Sequence, residues 1–255
     1  MTPIWEDAIT RCILRAAGTR PKAFFSILIG FMVLITTLGL SGCMLPDRPS
    51  HHVQDLTQSA SQGNVEAAYE LGLAYEKGRG VGQNLRKAEQ WYRTAAEKGH
   101  AEAQNNLGGL FQDGIGVGQN YSESLQWYRL AADQGHPGAI RNLGYLYDRG
   151  LGVAQDKSRA AVLYYQAAEK GDRGAMINLG MLYVEGQGVP KDPVLGYMWL
   201  DLARSLSPES LDAQTQWRIQ GTMEQLAVGM KKEQLQQAKT LSKQWMASHP
   251  GDRSQ

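Results

Sequence analysis

Residues 67–100 read AAYELGLAYEKGRGVGQNLRKAEQWYRTAAEKGH, and three close copies of this stretch follow at intervals of 36 residues. The interval is clearest in a Leu-Gly pair, which stands at Leu71-Gly72, Leu107-Gly108, Leu143-Gly144 and Leu179-Gly180. Around each pair, small and apolar residues recur four residues apart, and a second such run follows a glycine-rich segment. Such spacings place side chains on one face of an α-helix. The fixed period therefore predicts a repeat protein built from helical hairpins.

Each repeat carries its own helix start signals. In the first repeat we predict helices at 64–77 and 85–98, with Asn64 and Asn84 as N-caps, because Asn accepts hydrogen bonds from the first turn of a helix. Gly72 lies inside the first helix, where glycine costs about 1 kcal/mol relative to alanine. Because this cost recurs at the same position in all four repeats, we predict that the partner helix packs closely against the glycine.

The repeats form an array that needs a cap at each end. Apolar residues from Val53 to Ala60 fit the second helix of a truncated leading repeat. After Pro208, two helical patterns at 211–226 and 232–247 predict a closing pair, because the last repeat must have its apolar face covered. The predicted segments are an N-terminal capping helix at 53–63, repeats at 64–99, 100–135, 136–171 and 172–207, and C-terminal capping helices with a tail at 208–255. The predicted fold is all-α, a right-handed α-solenoid of helical-hairpin repeats.

The repeat also resembles a known family. The motif L-G-x-x-Y-x-x-G-x-G-V, followed by K-A-x-x-W-Y-x-x-A-A-x-x-G-H, is matched between Leu71 and His100. On this motif the chain is similar to the Sel1-like repeat proteins, whose architecture is close to that of tetratricopeptide repeats. The resemblance covers about residues 64–206 and implies adaptor or assembly roles, among them envelope complexes and secretion machinery. The fourth repeat has Arg204 where Ala96 stands in the first, so the regular stacking is expected to change there.

The first 42 residues have the pattern of an export signal. A basic segment precedes the apolar run FFSILIGFMVLITTLGL at 24–40. Leu-Ser-Gly-Cys at 40–43 resembles the lipobox of bacterial lipoproteins, which implies a signal peptide at 1–42, palmitate-type lipid on Cys43 and a tether at 43–52. Met44 stands where many lipoproteins carry an Asp that retains them at the inner membrane, so the resemblance implies the periplasmic side of the outer membrane. The alternative is an uncleaved inner-membrane signal anchor, because about 18 apolar residues just span a bilayer.

Composition and motifs argue against several classes of function. A net charge of +1 provides no concentrated basic face for nucleic acid. His100 and His136 lie one repeat apart, but no cysteine or carboxylate column joins them, so no metal site is predicted. The Gly-x-Gly segment follows a helix and recurs four times, which favours a structural turn over a nucleotide-binding loop. We predict no catalytic residue and no cofactor, and therefore no enzyme.

The second helices carry two adjacent aromatic columns. One is a tryptophan column and the other a tyrosine column, at Trp91, Trp127 and Trp199 and at Tyr92, Tyr128 and Tyr164. Because their helical spacing sets them opposite small alanines, both columns are predicted to form the core.

The first helices supply the candidate binding surface. Placing them on the tetratricopeptide pattern predicts a concave groove whose polarity changes from acidic to apolar along the array. The candidate partner-binding residues are Tyr69, Leu73, Asn105, Arg141, Tyr145, Ile177 and Met181. The apolar C-terminal end of this groove either binds a partner or is covered by the closing helices.

The sequence thus predicts a non-catalytic, lipid-anchored scaffold of the bacterial cell envelope that holds an unidentified protein or peptide in its groove. The alternative is a protein that binds or acts on cell-wall fragments, since some secreted Sel1-like proteins are associated with peptidoglycan or β-lactam binding. Those proteins carry paired cysteines within their repeats, whereas both cysteines of this chain, Cys12 and Cys43, precede the repeats.

Overall fold

The computed structural model describes residues 49–206 and 212–249. These residues form eleven helices and contain no strand. The helices are α1 (His51–Ser61), α2 (Val65–Lys77), α3 (Leu85–Ala96), α4 (Ala101–Asp113), α5 (Tyr121–Asp133), α6 (Pro137–Arg149), α7 (Lys157–Ala168), α8 (Arg173–Glu185), α9 (Pro193–Ser205), α10 (Ala213–Gly229) and α11 (Lys232–Ser248). None of these eleven helices is long and apolar enough to cross a membrane. The predicted signal peptide and Cys43 lie outside the described residues.

The helices stack as an array of hairpins. Helices α2 and α3, α4 and α5, α6 and α7, and α8 and α9 pack in pairs as the four repeats. The second helix of each of the first three repeats also packs against the first helix of the next repeat. Helix α1 packs on α2 at one end, and α10 and α11 pack on α9 at the other. This order of contacts is that of an α-solenoid, which confirms the predicted fold.

Side-chain caps fix where the helices begin. Asn64 and Asn84 accept hydrogen bonds from the first turns of α2 and α3, at 3.1 and 3.0 Å, as predicted. His100 and His136 take the place of Asn64 in the next two repeats and cap their helices through Nδ1. The Nδ1 lone pair accepts this bond, so each histidine has the capping role that Asn64 has in the first repeat.

The glycine inside each first helix packs against an aromatic ring. A Cβ atom added to Gly72 would lie 2.3 Å from the Tyr92 ring, and one added to Gly108 would lie 2.7 Å from the Tyr128 ring. Real Cβ atoms essentially never come so close to another atom. The close packing predicted for the first two repeats is therefore confirmed, and it explains why a residue that weakens helices is retained inside them.

The two aromatic columns have different environments. Tyr92, Tyr128 and Tyr164 are almost completely buried, whereas Trp91 and Trp127 are only partly buried. The prediction that both columns are core holds fully for the tyrosines, whereas Trp91 and Trp127 pack against the core and stay partly exposed. Adjacent helix positions point about 100° apart, and the tyrosines are the ones that face the glycines. Trp199 of the same column is buried in the core cluster, where Trp245 and Tyr165 pack against its ring at centroid distances of 6.2 and 6.0 Å.

Hydrogen bonds fix the terminal helices at both ends of the array. Helix α1 begins at His51, two residues before the predicted start, because the Ser50 side chain accepts the backbone N–H of Val53. The Ser50 backbone N–H donates to the Gly80 carbonyl at 2.8 Å, so this end of the predicted tether packs on the first repeat. At the other end, the Trp245 Nε1–H of α11 donates to a Glu169 carboxylate oxygen of the third repeat at 2.8 Å.

Candidate functional site

The groove predicted on the first helices has a buried apolar residue at the fourth repeat. Ile177 is 7% exposed and belongs to the same buried cluster as Ile219 and Met223 of α10. Met181 is half-buried and packs against that cluster. The prediction of Ile177 as a partner-binding residue is therefore corrected, because its apolar side chain is buried in the core. The open part of the first-helix face lies on repeats one to three.

Polar residues at one position of the first helices, Glu76 and Gln112, accept hydrogen bonds from the buried tyrosines. The Tyr92 hydroxyl donates to a Glu76 carboxylate oxygen, and the Tyr128 hydroxyl donates to Gln112 Oε1 at 3.3 Å. In the fourth repeat the equivalent residues are both apolar, Leu200 and Val184. Burial raises the pKa of Tyr128 well above its ordinary value, so this hydroxyl remains a neutral hydrogen-bond donor. Glu76 and Gln112 therefore provide hydrogen-bond acceptors for the buried hydroxyl groups of Tyr92 and Tyr128.

A cleft of about 630 Å³ opens on the first-helix face where the first three repeats meet. Its volume is in the range of pockets that hold small ligands. Gly109 makes the space, because the same position carries Leu73, Tyr145 and Met181 in the other repeats. Most of the polar groups that line this amide cleft are uncharged, and they belong to Gln83, Asn105, Asn106, Gln112, Tyr128 and Asn142. Three charged side chains, those of Glu76, Lys77 and Asp113, also line it.

The carboxamides of the amide cleft form a chain across two repeats. Asn142 Nδ2 donates to Asn105 Oδ1 at 3.0 Å, and Asn105 Nδ2 donates to Asn106 Oδ1 at 3.4 Å. Each carboxamide has two N–H donors and an oxygen with two lone pairs, so these bonds use only part of its capacity. The amide cleft is therefore suited to hydrogen bonding with a ligand that carries both donors and acceptors.

The sequence prediction included Asn105 but missed the neighbouring asparagines. Asn106, Asn142 and Asn178 each stand directly before the Leu-Gly pair of their repeat. A polar residue kept at one position beside a core leucine was a signal available in the sequence. The tetratricopeptide pattern placed the groove one position away from this column.

The remaining predicted residues lie on the same face with different surroundings. Leu73 is half-buried and packs against the core of the first repeats. Tyr145 is exposed, with the Arg149 guanidinium 5.8 Å from its ring centroid. Arg141 extends toward the fourth repeat, where its Nε lies 3.6 Å from Asp172 Oδ1. Arg141 thus connects two repeats as well as lining the open face.

Tyr69 lies among carboxylates at the start of the array. Its ring stacks on His100 with the centroids 4.4 Å apart. Burial, followed by the negative charge of Glu102, raises the pKa of Tyr69 above its ordinary value, and Glu66 and Glu76 act in the same direction. This end of the first-helix face is therefore electrostatically negative.

The chemistry of the amide cleft is recognition by hydrogen bonds. Carboxamides neither exchange protons near neutral pH nor act as nucleophiles, and the Tyr128 hydroxyl stays protonated. Of the charged side chains in the lining, Lys77 is paired with Glu76, which also accepts a hydrogen bond from the Tyr92 hydroxyl. Across residues 49–206 and 212–249, no group of three or more His, Cys, Asp or Glu side chains is placed to hold a metal ion.

The stacked hairpins define this chain as an α-solenoid repeat protein. The model of the Sel1 repeat matches residues 65–100, 101–136, 137–172 and 174–207, and the chain belongs to the Sel1 repeat family. Sel1 repeat solenoids are generally non-catalytic scaffolds that bind protein partners. No curated protein matches the sequence of this chain.

Two solved structures of Sel1 repeat architecture are similar to this chain. The first is c5321, a protective antigen present in uropathogenic Escherichia coli strains and displaying an SLR fold, with a TM-score of 0.72 and 32% identity over 86% of this chain and 45% of that chain. The second is a Sel1 repeat protein from Oxalobacter formigenes, with a TM-score of 0.62 and 36% identity over 75% of this chain and 77% of that chain. This chain spans less than half of the length of the E. coli antigen.

Proposed function

We propose that this protein is a scaffold of the bacterial cell envelope that binds an extended peptide segment of a partner protein in the amide cleft. The observation that carries the proposal is the chain of carboxamides from Asn142 through Asn105 to Asn106, beside the space left by Gly109. An extended peptide presents alternating N–H and C=O groups. Carboxamides pair with both kinds of group, so the amide cleft binds the backbone of a peptide in preference to one particular side chain.

The proposal is tested by filling the amide cleft without harming the fold. Gly109→Leu places in the second repeat the side chain that Leu73 has in the first. A Cβ atom at Gly109 meets only the Tyr128 hydroxyl, at 3.7 Å, which is an ordinary contact. Because leucine is a better helix former than glycine by roughly 0.5 to 1 kcal/mol, we expect the melting temperature to be kept or raised. Partner capture by the full-length chain is expected to fall by at least about tenfold, a loss of about 1.4 kcal/mol.

The matched control adds the same side chain elsewhere. Gln126 is exposed on the second helix α5, so Gln126→Leu adds equal apolar surface away from the amide cleft and should leave capture unchanged. Capture is measured from envelope extracts and, in parallel, on purified cell wall. A stoichiometric protein partner that the Gly109→Leu variant loses supports the proposal. If the chain is retained on purified cell wall and captures no protein partner, its function is cell-wall binding instead.

We also propose that the chain is held at the membrane through lipid on Cys43, on the periplasmic side of the outer membrane. The support is the sequence Leu-Ser-Gly-Cys at 40–43, directly after an apolar run. Cys43→Ser is expected to abolish metabolic labelling with fatty acid and to leave a larger, unprocessed precursor. Two or three acyl chains hold a protein on a membrane far more firmly than one. If the variant keeps its size and its membrane association, the segment is an uncleaved inner-membrane anchor instead.

A further inference from the structure

The charges on the first-helix face change along the array. In the first two repeats, exposed carboxylates stand at Glu66, Glu70, Glu102 and Asp113, and the exposed Lys77 on the same face is paired with Glu76. In the third repeat the corresponding face carries Arg141 and Arg149. A partner segment that crosses the first two repeats therefore meets a negative field, and the complementary segment is positively charged.

Two of these carboxylates converge on the ring of His100, which stacks on Tyr69. Glu66 Oε2 lies 3.1 Å from His100 Nε2, and Glu102 Oε2 lies 3.3 Å from His100 Nδ1. Because Nδ1 accepts the backbone N–H of Ala103, it carries no proton that it could donate to Glu102. Within the part of the chain that the structure describes, Glu102 forms no ion pair with a lysine or an arginine. Its carboxylate is therefore available to a cation from outside the chain.

Tyr69 links this carboxylate pair to the amide cleft. Tyr69 and Asn105 occupy the same position in consecutive repeats, so they are neighbours along the first-helix face. The ring of Tyr69 is only partly buried, with one side stacked on His100. An aromatic ring beside two carboxylates is the combination that holds an ammonium or guanidinium group in proteins.

We propose that the partner peptide carries a lysine or arginine whose side chain binds between Glu66 and Glu102 against the ring of Tyr69, while the adjoining backbone lies in the amide cleft. This inference rests on the proposed function and adds the chemistry of the occupant. The bound segment is basic where it crosses the first two repeats.

The test uses a display library of random decapeptides, selected on the full-length chain in detergent micelles. A decapeptide extends to about 33 Å, and neighbouring helices pack about 8 to 10 Å apart, so it covers the first three repeats. We expect the enriched peptides to contain lysine or arginine. The double variant Glu66→Lys/Glu102→Lys should bind a synthetic enriched peptide at least about tenfold more weakly than wild type does. It should bind the same peptide with lysine replaced by glutamate more tightly than wild type does.

Two further double variants separate charge from folding. Glu66→Gln/Glu102→Gln keeps the size of both side chains and their ability to form hydrogen bonds, and removes their charge. It should still lower the affinity for the basic peptide several-fold. Glu97→Lys/Glu224→Lys makes the same change in net charge at exposed positions elsewhere and should leave affinity within about twofold.

The outcomes distinguish this inference from the proposed function. Enriched peptides without basic residues, or affinity that both Glu66/Glu102 variants leave unchanged, would overturn the cation site while peptide binding in the amide cleft stands. Failure of any peptide to enrich, or binding that Gly109→Leu does not affect, would overturn both. Weaker binding of the basic peptide in the glutamine variant and in Gly109→Leu, with folding intact in each, supports both.

Discussion

Tyr128→Ala is expected to lower the free energy of unfolding by about 3 to 5 kcal/mol, the usual range for removing a large buried aromatic side chain. Tyr128 is 1% exposed and fills the space between its own helix α5 and Gly108 of α4. Glycine has no side chain that could move into the cavity, so the two helices must either leave it open or collapse. Thermal unfolding followed by circular dichroism measures the loss.

Two variants show which part of the side chain matters. Tyr128→Phe keeps the ring and removes only the hydrogen bond to Gln112, so it should cost about 1 kcal/mol. Trp127→Ala removes a larger residue from the adjacent, partly exposed column and should cost about 2 kcal/mol or less. If Trp127→Ala proved as damaging as Tyr128→Ala, the tryptophan column would contribute as much to the core as the tyrosine column does.

Gly188→Ala is expected to cost about 3 kcal/mol, because two penalties add at this position. The backbone of Gly188 has φ of 72°, a left-handed conformation that costs other residues roughly 1 to 2 kcal/mol. A Cβ atom there would lie 2.3 Å from the backbone carbonyl of Lys157, at the start of α7 in the preceding repeat. Backbone atoms cannot rotate away, so the fourth repeat must shift from the third, at an overpacking cost of roughly 1 to 3 kcal/mol.

The matched control for this variant is Gly99→Ala. Gly99 also has a positive φ, 91°, but an added Cβ would have no atom within 4 Å. It should therefore cost only about 1 kcal/mol. Hydrogen exchange should show the loss of protection in Gly188→Ala concentrated around α7, α8 and α9. Equal losses in the two glycine variants would mean that the contact with Lys157 does not hold the repeats together.

The amide cleft has two components with different origins in the sequence. Asn106, Asn142 and Asn178 recur at the repeat interval, so their common position is visible in the sequence alone. Gly109 lies at a predicted groove position, and its size difference from Leu73 and Tyr145 is visible in the sequence, but the cleft around it is not. A single glycine in a helix signals only lower stability, and the cleft exists because larger side chains surround that position in three repeats at once.

The sequence by itself determined the number of hairpins, the helix starts and the main contact between the two helices of a repeat. The 36-residue period fixed the number of hairpins, Asn64 and Asn84 fixed helix starts, and the recurring Gly72 position fixed where two helices touch. These features are local, since a cap or a close helix contact involves residues of one repeat. Each of these features is therefore indicated by the same sequence signal in several repeats.

Only the tertiary structure decided which surfaces remain open. The tryptophan and tyrosine columns have the same period, and the packing of each second helix against its glycines places the tyrosines inside. Ile177 has the pattern of an exposed groove residue, but it is buried in a cluster that includes Ile219 and Met223 of a helix outside the repeats. Burial of an apolar face depends on whichever element packs nearby, and the period of a repeat carries no information about an element that does not repeat.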